Sequence, residues 1–350
     1  MELAMRLLQE LASQRTQEST ARRFVSGAAL AERHHVTRAA VWKAIGQLRR
    51  LGTPVEAVPH RGYRLTLPCS PLNSADVQAL LLPATAARLR SGVCAGSINS
   101  TNTQLLARGA PPIGQFDFLT AEYQSAGRGR RGRSWLAPPG GAICLSWSWS
   151  FDALPSQIGA LSLAVGVAAL RALARCDVRG VGLKWPNDLM IPAGMTTAAQ
   201  QTQPPRKLGG ILIEMRAEAG GPTHVVAGLG LNLALDPALQ REVGELGHLP
   251  AELSQLRQPP PERNTLVAAL LNEQVAAMQV FGEKGLLPFL PEFTAADVLT
   301  GRAVHLQGAN AALTSGIARG VAPDGALRVE HGGQIHRIIA GEVSVRSVAS

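Results

Sequence analysis

The alternation of apolar and polar positions divides the chain into three parts. Leu3, Leu7, Leu8 and Leu11 recur at helical spacing and give one apolar stripe. A short helix follows from Gly27 to Arg33. A third runs from Thr37, a natural N-cap, to about Leu51, with Val41, Ala44, Ile45, Leu48 and Leu51 on one face. PVEAV and YRLTL, joined by PHRG, then alternate with period two and read as a hairpin. Helices, a turn, a helix and a hairpin in that order predict a winged helix-turn-helix over residues 1–67.

The proline-punctuated LPCSPLNSAD marks a linker, residues 68–75, before a helix at about Asp76 to Leu82. Over 76–291 strands and helices mix. Strands are expected near Val93, 116–123, 142–151, 181–185, 208–216 and 224–234, with helices from about Thr101, up to about Arg175, and an amphipathic one over 262–282. Many strands with few helices between them favour an α/β (α+β) fold, a mixed sheet covered on one face. The 18 uncharged residues from Ala153 to Leu170 reach the lower edge of a membrane span. Pro155, Ser156, Gln157 and Gly159 shorten the apolar part, so a buried core helix is the better reading. After Pro291, RAVHL, TSGIARGV, ALRVEH and HRIIAGEVSVRS, with turns at PDG and HGG, predict a small SH3-like β-barrel over 292–350.

Charge adds a second distinction. The net charge is +9, and residues 1–67 carry 11 Lys/Arg against 5 Asp/Glu, so most of the excess sits in the terminal module. Such concentration suggests contact with a polyanion, whereas a solvated basic face remains the plain alternative. Cys69, Cys94, Cys144 and Cys176 lie far apart with no CxxC, which predicts free thiols in a reducing compartment. His331 and His336 lack companions for a zinc site, and no metal is assigned to protein side chains. The charged N-terminus does not read as a signal peptide, so a cytoplasmic protein without membrane contact is expected.

Candidate chemistry begins at GRGRRGRSW, Gly127 to Trp135, which contains a literal GxGxxG. A dinucleotide site needs a strand before it, a helix directly after it and an acidic residue about 20 positions on. FLTAEYQ and Asp152 meet the first and third demands. Pro138, Pro139, Gly140 and Gly141 break any helix, so no helix dipole is available for a pyrophosphate. The alternative uses Arg128, Arg130, Arg131 and Arg133, four guanidinium forks on a glycine-spaced backbone. Their mutual repulsion predicts a loop that stays poorly ordered until it closes on an anionic phosphate.

Two further clusters keep it company. In LKWPNDLMI, Lys184 stands at a strand end beside Asn187 and Asp188, placed either to handle a phosphate or simply to cap a turn. In GSINSTNTQLLA, Ser100, Thr101 and Asn102 either cap a helix or clasp a small polar ring, with Gln124 nearby for the same purpose.

EYQSAGRGRRGRSW, LKWPNDL, KLGGILIE and GLGLN, in that order and after NSTN, resemble the biotin protein ligases. With the winged helix ahead of them, the chain is similar to the bifunctional members that also repress the biotin operon. The likeness spans nearly the whole chain, including the C-terminal GEVSVRS. It implies a two-step reaction. Biotin attacks the α-phosphate of MgATP to give biotinyl-5′-AMP and pyrophosphate, and a lysine of the biotin carboxyl carrier protein of acetyl-CoA carboxylase then displaces AMP. The resemblance assigns Ser100, Thr101, Asn102, Gln124, Arg128, Gly129, Arg130 and Lys184 to biotin, with Lys184 and Arg130 catalytic. It assigns Arg130, Arg133, Trp135, Asn187, Lys207 and Asn232 to ATP or the adenylate.

The resemblance also makes residues 1–67 a reader of operator DNA. Thr37, Arg38, Lys43 and Gln47 face a groove and Arg61 meets phosphate at the wing tip, while Trp42 serves either packing or DNA. A homodimer with biotinyl-AMP bound is implied as well. Ile191 to Lys207 is longer and more polar than the family's usual connection. A rival reading is a regulator that senses biotin or its adenylate without ligating it; Lys184 together with Arg130 favours the enzyme.

Overall fold

The computed structural model describes residues 1–16, 19–66, 69–192, 205–217, 221–235, 250–307 and 314–345. The start of the expected linker, most of the 191–207 loop, one connection of the C-terminal domain and the last five residues lie outside these.

The N-terminal module is built on α1 (Glu2–Ser13), α2 (Gly27–Arg33) and α3 (Arg38–Arg50). Leu7, Leu8, Leu11, Leu30, Val41, Ile45 and Leu48 interlock in its core, the stripes that the periodicity marks. Ser26 Oγ accepts from the Ala29 amide and Thr37 Oγ1 from the Ala40 amide, each at 3.1 Å, so both helices of the helix-turn-helix start on side-chain caps. A short pair, β1 (Arg15–Thr16) and β2 (Ser19–Arg22), was not expected from the sequence. The wing hairpin is β3 (Val55–Val58) with β4 (Gly62–Leu65), antiparallel from Val55 opposite Leu65 to Val58 opposite Gly62. At Gly62 φ is +102° and any Cβ would lie 2.0 Å from the Val25 carbonyl oxygen, so the wing's close seat on that segment requires glycine.

The central domain opens with α4 (Ser74–Ala79) and α5 (Pro83–Ala86). Its sheet comprises β5 (Leu89–Ile98), β6 (Phe116–Gln124), β7 (Ala142–Phe151), β8 (Gly182–Lys184), β9 (Asp188–Ile191), β10 (Arg206–Ala217) and β11 (Thr223–Asn232), in the order β5-β6-β7-β11-β10-β9-β8. Only β5 and β6 run parallel, so the sheet is mixed as expected. The strand expected over 181–185 is one arm of a hairpin that turns at Trp185, Pro186 and Asn187.

One face of the sheet carries α7 (Leu161–Arg175) and α8 (Arg263–Lys284). The expectation of one covered face is incomplete, because all ten residues of β7 are buried. Helix α6 (Thr101–Arg108) lies on the opposite side, where Leu105 packs with Leu119 and Val226. Helix α8 is also more enclosed than an amphipathic pattern implies: Arg263, Asn264, Glu273 and Gln274 are buried with its apolar residues. Burial of these polar groups is tolerated where partners exist. Gln274 donates to the Val165 carbonyl at 3.0 Å, and Arg263 pairs with Glu122 at 2.7 Å. Burial alone would lower the pKa of the Arg263 guanidinium; the adjoining Glu122 carboxylate overrides this and holds it above its ordinary value. The uncharged stretch is the core helix it was read as: Ile158–Arg175 is apolar and long enough to cross a membrane, yet α7 buries Leu163, Val165, Val167 and Leu173 inside the domain.

After α9 (Leu290–Ala296), β12 (Ala303–Gln307), β13 (Ser315–Val321), β14 (Leu327–His331), β15 (Gln334–Ile338) and β16 (Glu342–Val345) form a five-stranded antiparallel sheet in the order β15-β14-β13-β12-β16. Its β16 edge adjoins the central site. From the other side, Thr53 in the N-terminal module donates a buried 2.9 Å hydrogen bond to the Pro139 carbonyl, so the winged helix-turn-helix touches the loop that follows the arginine cluster.

Candidate active site

A cavity of about 670 Å³ opens on the α6 side of the sheet, within the range of small-molecule sites. It is lined by residues of all three motif clusters, and the glycines of GLGLN explain how they fit. Gly228 and Gly230 sit two apart on β11 and so face the same side. A Cβ at Gly228 would lie 2.2 Å from Asn102 Oδ1, and one at Gly230 would lie 2.3 Å from the Trp135 ring. Bare backbone at these two positions admits one side chain from α6 and one from the arginine loop.

The NSTN segment caps a helix and also lines the cavity. Ser100 is the N-cap of α6, accepting from the Thr103 amide. Thr101 and Asn102 are buried beneath the cavity. Gln124 Oε1 accepts from the Thr101 amide at 2.8 Å and from its hydroxyl at 3.1 Å. Ser146 on β7, which no motif marks, donates within reach of both Thr101 Oγ1 at 2.6 Å and Asn102 Oδ1 at 2.5 Å. Asn102 Nδ2 donates to Glu214 Oε2 at 3.0 Å. These contacts make a polar floor with fixed donor and acceptor directions. Cys144 also lines the cavity; burial pushes its thiol up to about 11, so it stays protonated at neutral pH.

The cations gather at the other end. Lys184 and Asp188 close the β8–β9 hairpin 3.6 Å apart, and Asp188 meets Lys207 of β10 at 2.7 Å. Burial drives the pKa of Lys184 below that of an ordinary lysine; Asp188 resists the shift and Lys207 adds to it. Asn187 donates to the Ile211 carbonyl at 2.9 Å and accepts from Arg130 Nη1 at 2.9 Å, which ties the arginine loop to the lysine hairpin. Asn232 lines the cavity but donates its amide to the Ala251 carbonyl at 3.0 Å, so it supports the wall through that segment.

The arginine loop has defined local geometry. Arg130–Gly132 forms a single 3₁₀ turn, an isolated bridge joins Arg128 to Ser134, and no helix follows the glycines, as the proline argument requires. Its charges are answered from within the protein. Arg128 Nη1 pairs with Glu214 Oε1 at 2.9 Å, and Arg133 Nη2 with Glu342 Oε2 of the C-terminal sheet at 2.5 Å. Internal carboxylates therefore offset the repulsion that argued for a loose loop. Burial and the neighbouring Arg131 lower the pKa of Arg130, opposed by Asp188 and Glu342. Glu214 closes the KLGGILIE segment and Glu342 belongs to GEVSVRS in a separate domain, and neither segment by itself shows that its glutamate meets the arginine loop.

In the N-terminal module Arg38, Trp42 and Lys43 are exposed on α3 and Gln47 is half-buried. Trp42 is 71% exposed, which excludes a packing role within the chain. Arg61 lies at the wing turn with its guanidinium 4.3 Å from the centre of the Phe24 ring, a contact that orients it while leaving it exposed.

A mixed-sheet domain with a lysine-and-arginine cavity is thus flanked by a helix-turn-helix module and a small β domain. The comparisons agree segment by segment. Residues 19–64 match an HTH domain, 96–232 the biotin/lipoate A/B protein ligase family and 299–346 the biotin protein ligase C terminal domain. The chain is 35% identical over 327 residues to the bifunctional ligase/repressor BirA of Escherichia coli, covering 93% of this chain and 94% of that protein. It is 34% identical over 251 residues to the biotin--[acetyl-CoA-carboxylase] ligase of Mycobacterium tuberculosis, covering 70% and 85% respectively. The fold is shared with the Aquifex aeolicus biotin protein ligase solved with biotin and ATP, at a TM-score of 0.57 and 22% identity over 73% of this chain and 99% of that one. The chain belongs to the bifunctional ligase/repressor family of biotin protein ligases.

Proposed function

We infer that the protein is a biotin protein ligase that forms biotinyl-5′-AMP from biotin and ATP, transfers biotin to a carrier lysine, and also acts as a DNA-binding repressor. One observation carries the reading: Lys184, Lys207 and Arg130 converge at one end of a cavity whose other end is lined by hydroxyl and amide groups. A carboxylate and a phosphate brought together repel each other, and fixed cations offset that repulsion as the acyl phosphate forms. Lys184 holds the biotin carboxylate against the α-phosphate while the new C–O–P link forms and pyrophosphate leaves. In the second step an uncharged carrier lysine attacks the acyl carbon and AMP departs. Ser100, Thr101, Asn102 and Gln124 position the ring of biotin; Arg128, Gly129 and Arg130 close over it. Arg133, Trp135, Asn187, Lys207 and Asn232 surround the nucleotide. Water hydrolyses an acyl adenylate, so the covering loop also protects it.

Magnesium fits as the cation carried by the ATP phosphates. Among the described residues no three His, Cys, Asp or Glu side chains cluster, and the cavity's acids Asp188 and Glu342 each face a Lys or Arg. A bound Mg²⁺ would add neutralising charge on the phosphates, with Asp188 the carboxylate placed nearest the lysines.

We assign operator binding to residues 1–67, the linker to 68–75, catalysis to 76–291 and the C-terminal domain to 292–350. Thr37 caps the reading helix, Arg38, Lys43 and Gln47 face the groove and Arg61 the phosphates. A homodimer with the adenylate bound suits a two-fold operator. The β9 ladder on β10 ends at Gly210, which leaves the later part of β10, with half-exposed Met215, flanked by β11 alone. The carrier is that of acetyl-CoA carboxylase and the compartment the cytoplasm, in keeping with four free cysteines. Sensing without ligation is disfavoured, since binding alone does not need a buried lysine placed against the reacting groups. The test is biotin-dependent exchange of labelled pyrophosphate into ATP. Exchange is expected with biotin and absent without it; no exchange in either case would leave only the sensing role.

A further inference from the structure

We propose that Glu214 is a positioning residue that joins the biotin floor to the arginine lid, so that ring recognition and retention of the intermediate depend on one carboxylate. The inference rests on the ligase reading of this cavity and adds to it a residue to which the resemblance assigns no role. Glu214 stands on β10 with its side chain 19% exposed. Its two oxygens are divided: Oε2 accepts from Asn102 Nδ2 at 3.0 Å, and Oε1 pairs with Arg128 Nη1 at 2.9 Å. A carboxylate only accepts hydrogen bonds, so it dictates that the Asn102 amide turns its NH₂ toward β10 and its oxygen toward Ser146 and Gly228. The same group gives Arg128 an anionic anchor on the sheet, and Arg128 lies two residues before Arg130 in the lid. Thr103 Oγ1, the other hydrogen-bond partner of Arg128, is neutral and farther away at 3.4 Å.

Glu214→Gln separates the two tasks. Glutamine still offers an oxygen to Asn102, but its NH₂ then faces the Arg128 guanidinium and the ion pair is lost. Loss of a charge-assisted bond of this kind corresponds to about a tenfold change in the lid equilibrium. With biotin, MgATP and a carrier domain present, the fraction of biotinyl-AMP released to solution should rise about tenfold, while the KM for biotin changes little. Arg128→Gln should leak to the same extent, and the double variant no more than either single one, because both remove one interaction. Glu214→Ala should leak equally and also raise the KM for biotin, since Asn102 loses its fixed orientation.

Unchanged leakage in Glu214→Gln, or additive leakage in the double variant, would overturn the proposal. A merely structural role would lower the melting temperature without changing the ratio of released to transferred adenylate. The wild-type reaction run alongside separates the two levels: failure to make any biotinyl-AMP removes the ligase reading and this proposal with it, whereas an active wild type with a non-leaking Glu214→Gln removes only the proposal.

Discussion

Two alanines on β11 should divide the site into its two substrates. In Gly228→Ala the new methyl carbon would lie 2.2 Å from Asn102 Oδ1, and in Gly230→Ala it would lie 2.3 Å from Trp135 Cε2, with two more ring atoms within 2.8 Å. Carbon contacts are comfortable at about 3.5–4.0 Å, so each neighbour must retreat by roughly 1 Å or more. Both side chains are hemmed in: Asn102 is tied to Ser146 and Glu214, and the Trp135 backbone is held by the Gly127 carbonyl at 2.9 Å. Overpacking of this kind costs about 1–3 kcal/mol in stability, and a misplacement near 1 Å at a reacting centre costs about 100-fold in rate. Gly228→Ala should therefore raise the KM for biotin by one to two orders of magnitude with a smaller effect on ATP. Gly230→Ala should do the reverse. Pyrophosphate release measured against each substrate in turn reads both values, and melting curves confirm that the variants fold. Equal effects on both substrates from either alanine, or no effect in a folded variant, would refute the assignment of Asn102 to biotin and Trp135 to the nucleotide.

Other contacts of the structure lead to further outcomes. Only protonated Lys184 neutralises the carboxylate and phosphate, and burial lowers its pKa, so the alkaline fall in kcat/KM for biotin should begin below the ordinary lysine value of 10.5. Asp188→Asn removes the charge that resists this shift and should move the fall to still lower pH; a pH profile that moves upward would contradict it. Arg130→Gly should still permit adenylate synthesis but release the intermediate, giving biotin on lysines of bystander proteins in a mass-spectrometric survey; labelling confined to the carrier would count against the lid. Arg263→Met leaves Glu122 charged and buried and should cost about 3–5 kcal/mol in urea unfolding, with Arg263→Met/Glu122→Leu recovering part of the loss.

Much of the fold was legible because local patterns coincided with long-range packing. The leucine stripe of α1, the cap at Thr37 and the alternation in β3 and β4 each specify an element within a dozen residues. The arginine–glycine and WPND motifs were legible for a different reason, since their residue types are unusual together. What escaped was set by contacts distant in sequence. Ser146 reads as one serine of an alternating strand until β7 is laid beneath α6. Nothing in the sequence pairs Glu214 and Glu342 with Arg128 and Arg133; only the placement of β10 and β16 brings them there. Without them the arginine loop looks self-repelling, and the expected disorder follows. Helix α8 misled in the same way, since its buried Arg263 and Gln274 take partners from β6 and α7. The glycines of GLGLN were visible as a motif, but their purpose depended on which side chains lie over them.

The protein both makes an acyl adenylate of biotin and passes the biotin to a protein lysine. The most direct test is the intact mass of a carrier domain after incubation with the full-length protein, biotin and MgATP. A single biotinyl increment, absent when biotin or ATP is withheld and lost on replacing the carrier's acceptor lysine, is the expected result. An unmodified carrier, under conditions where an established biotin ligase modifies the same preparation, would contradict it.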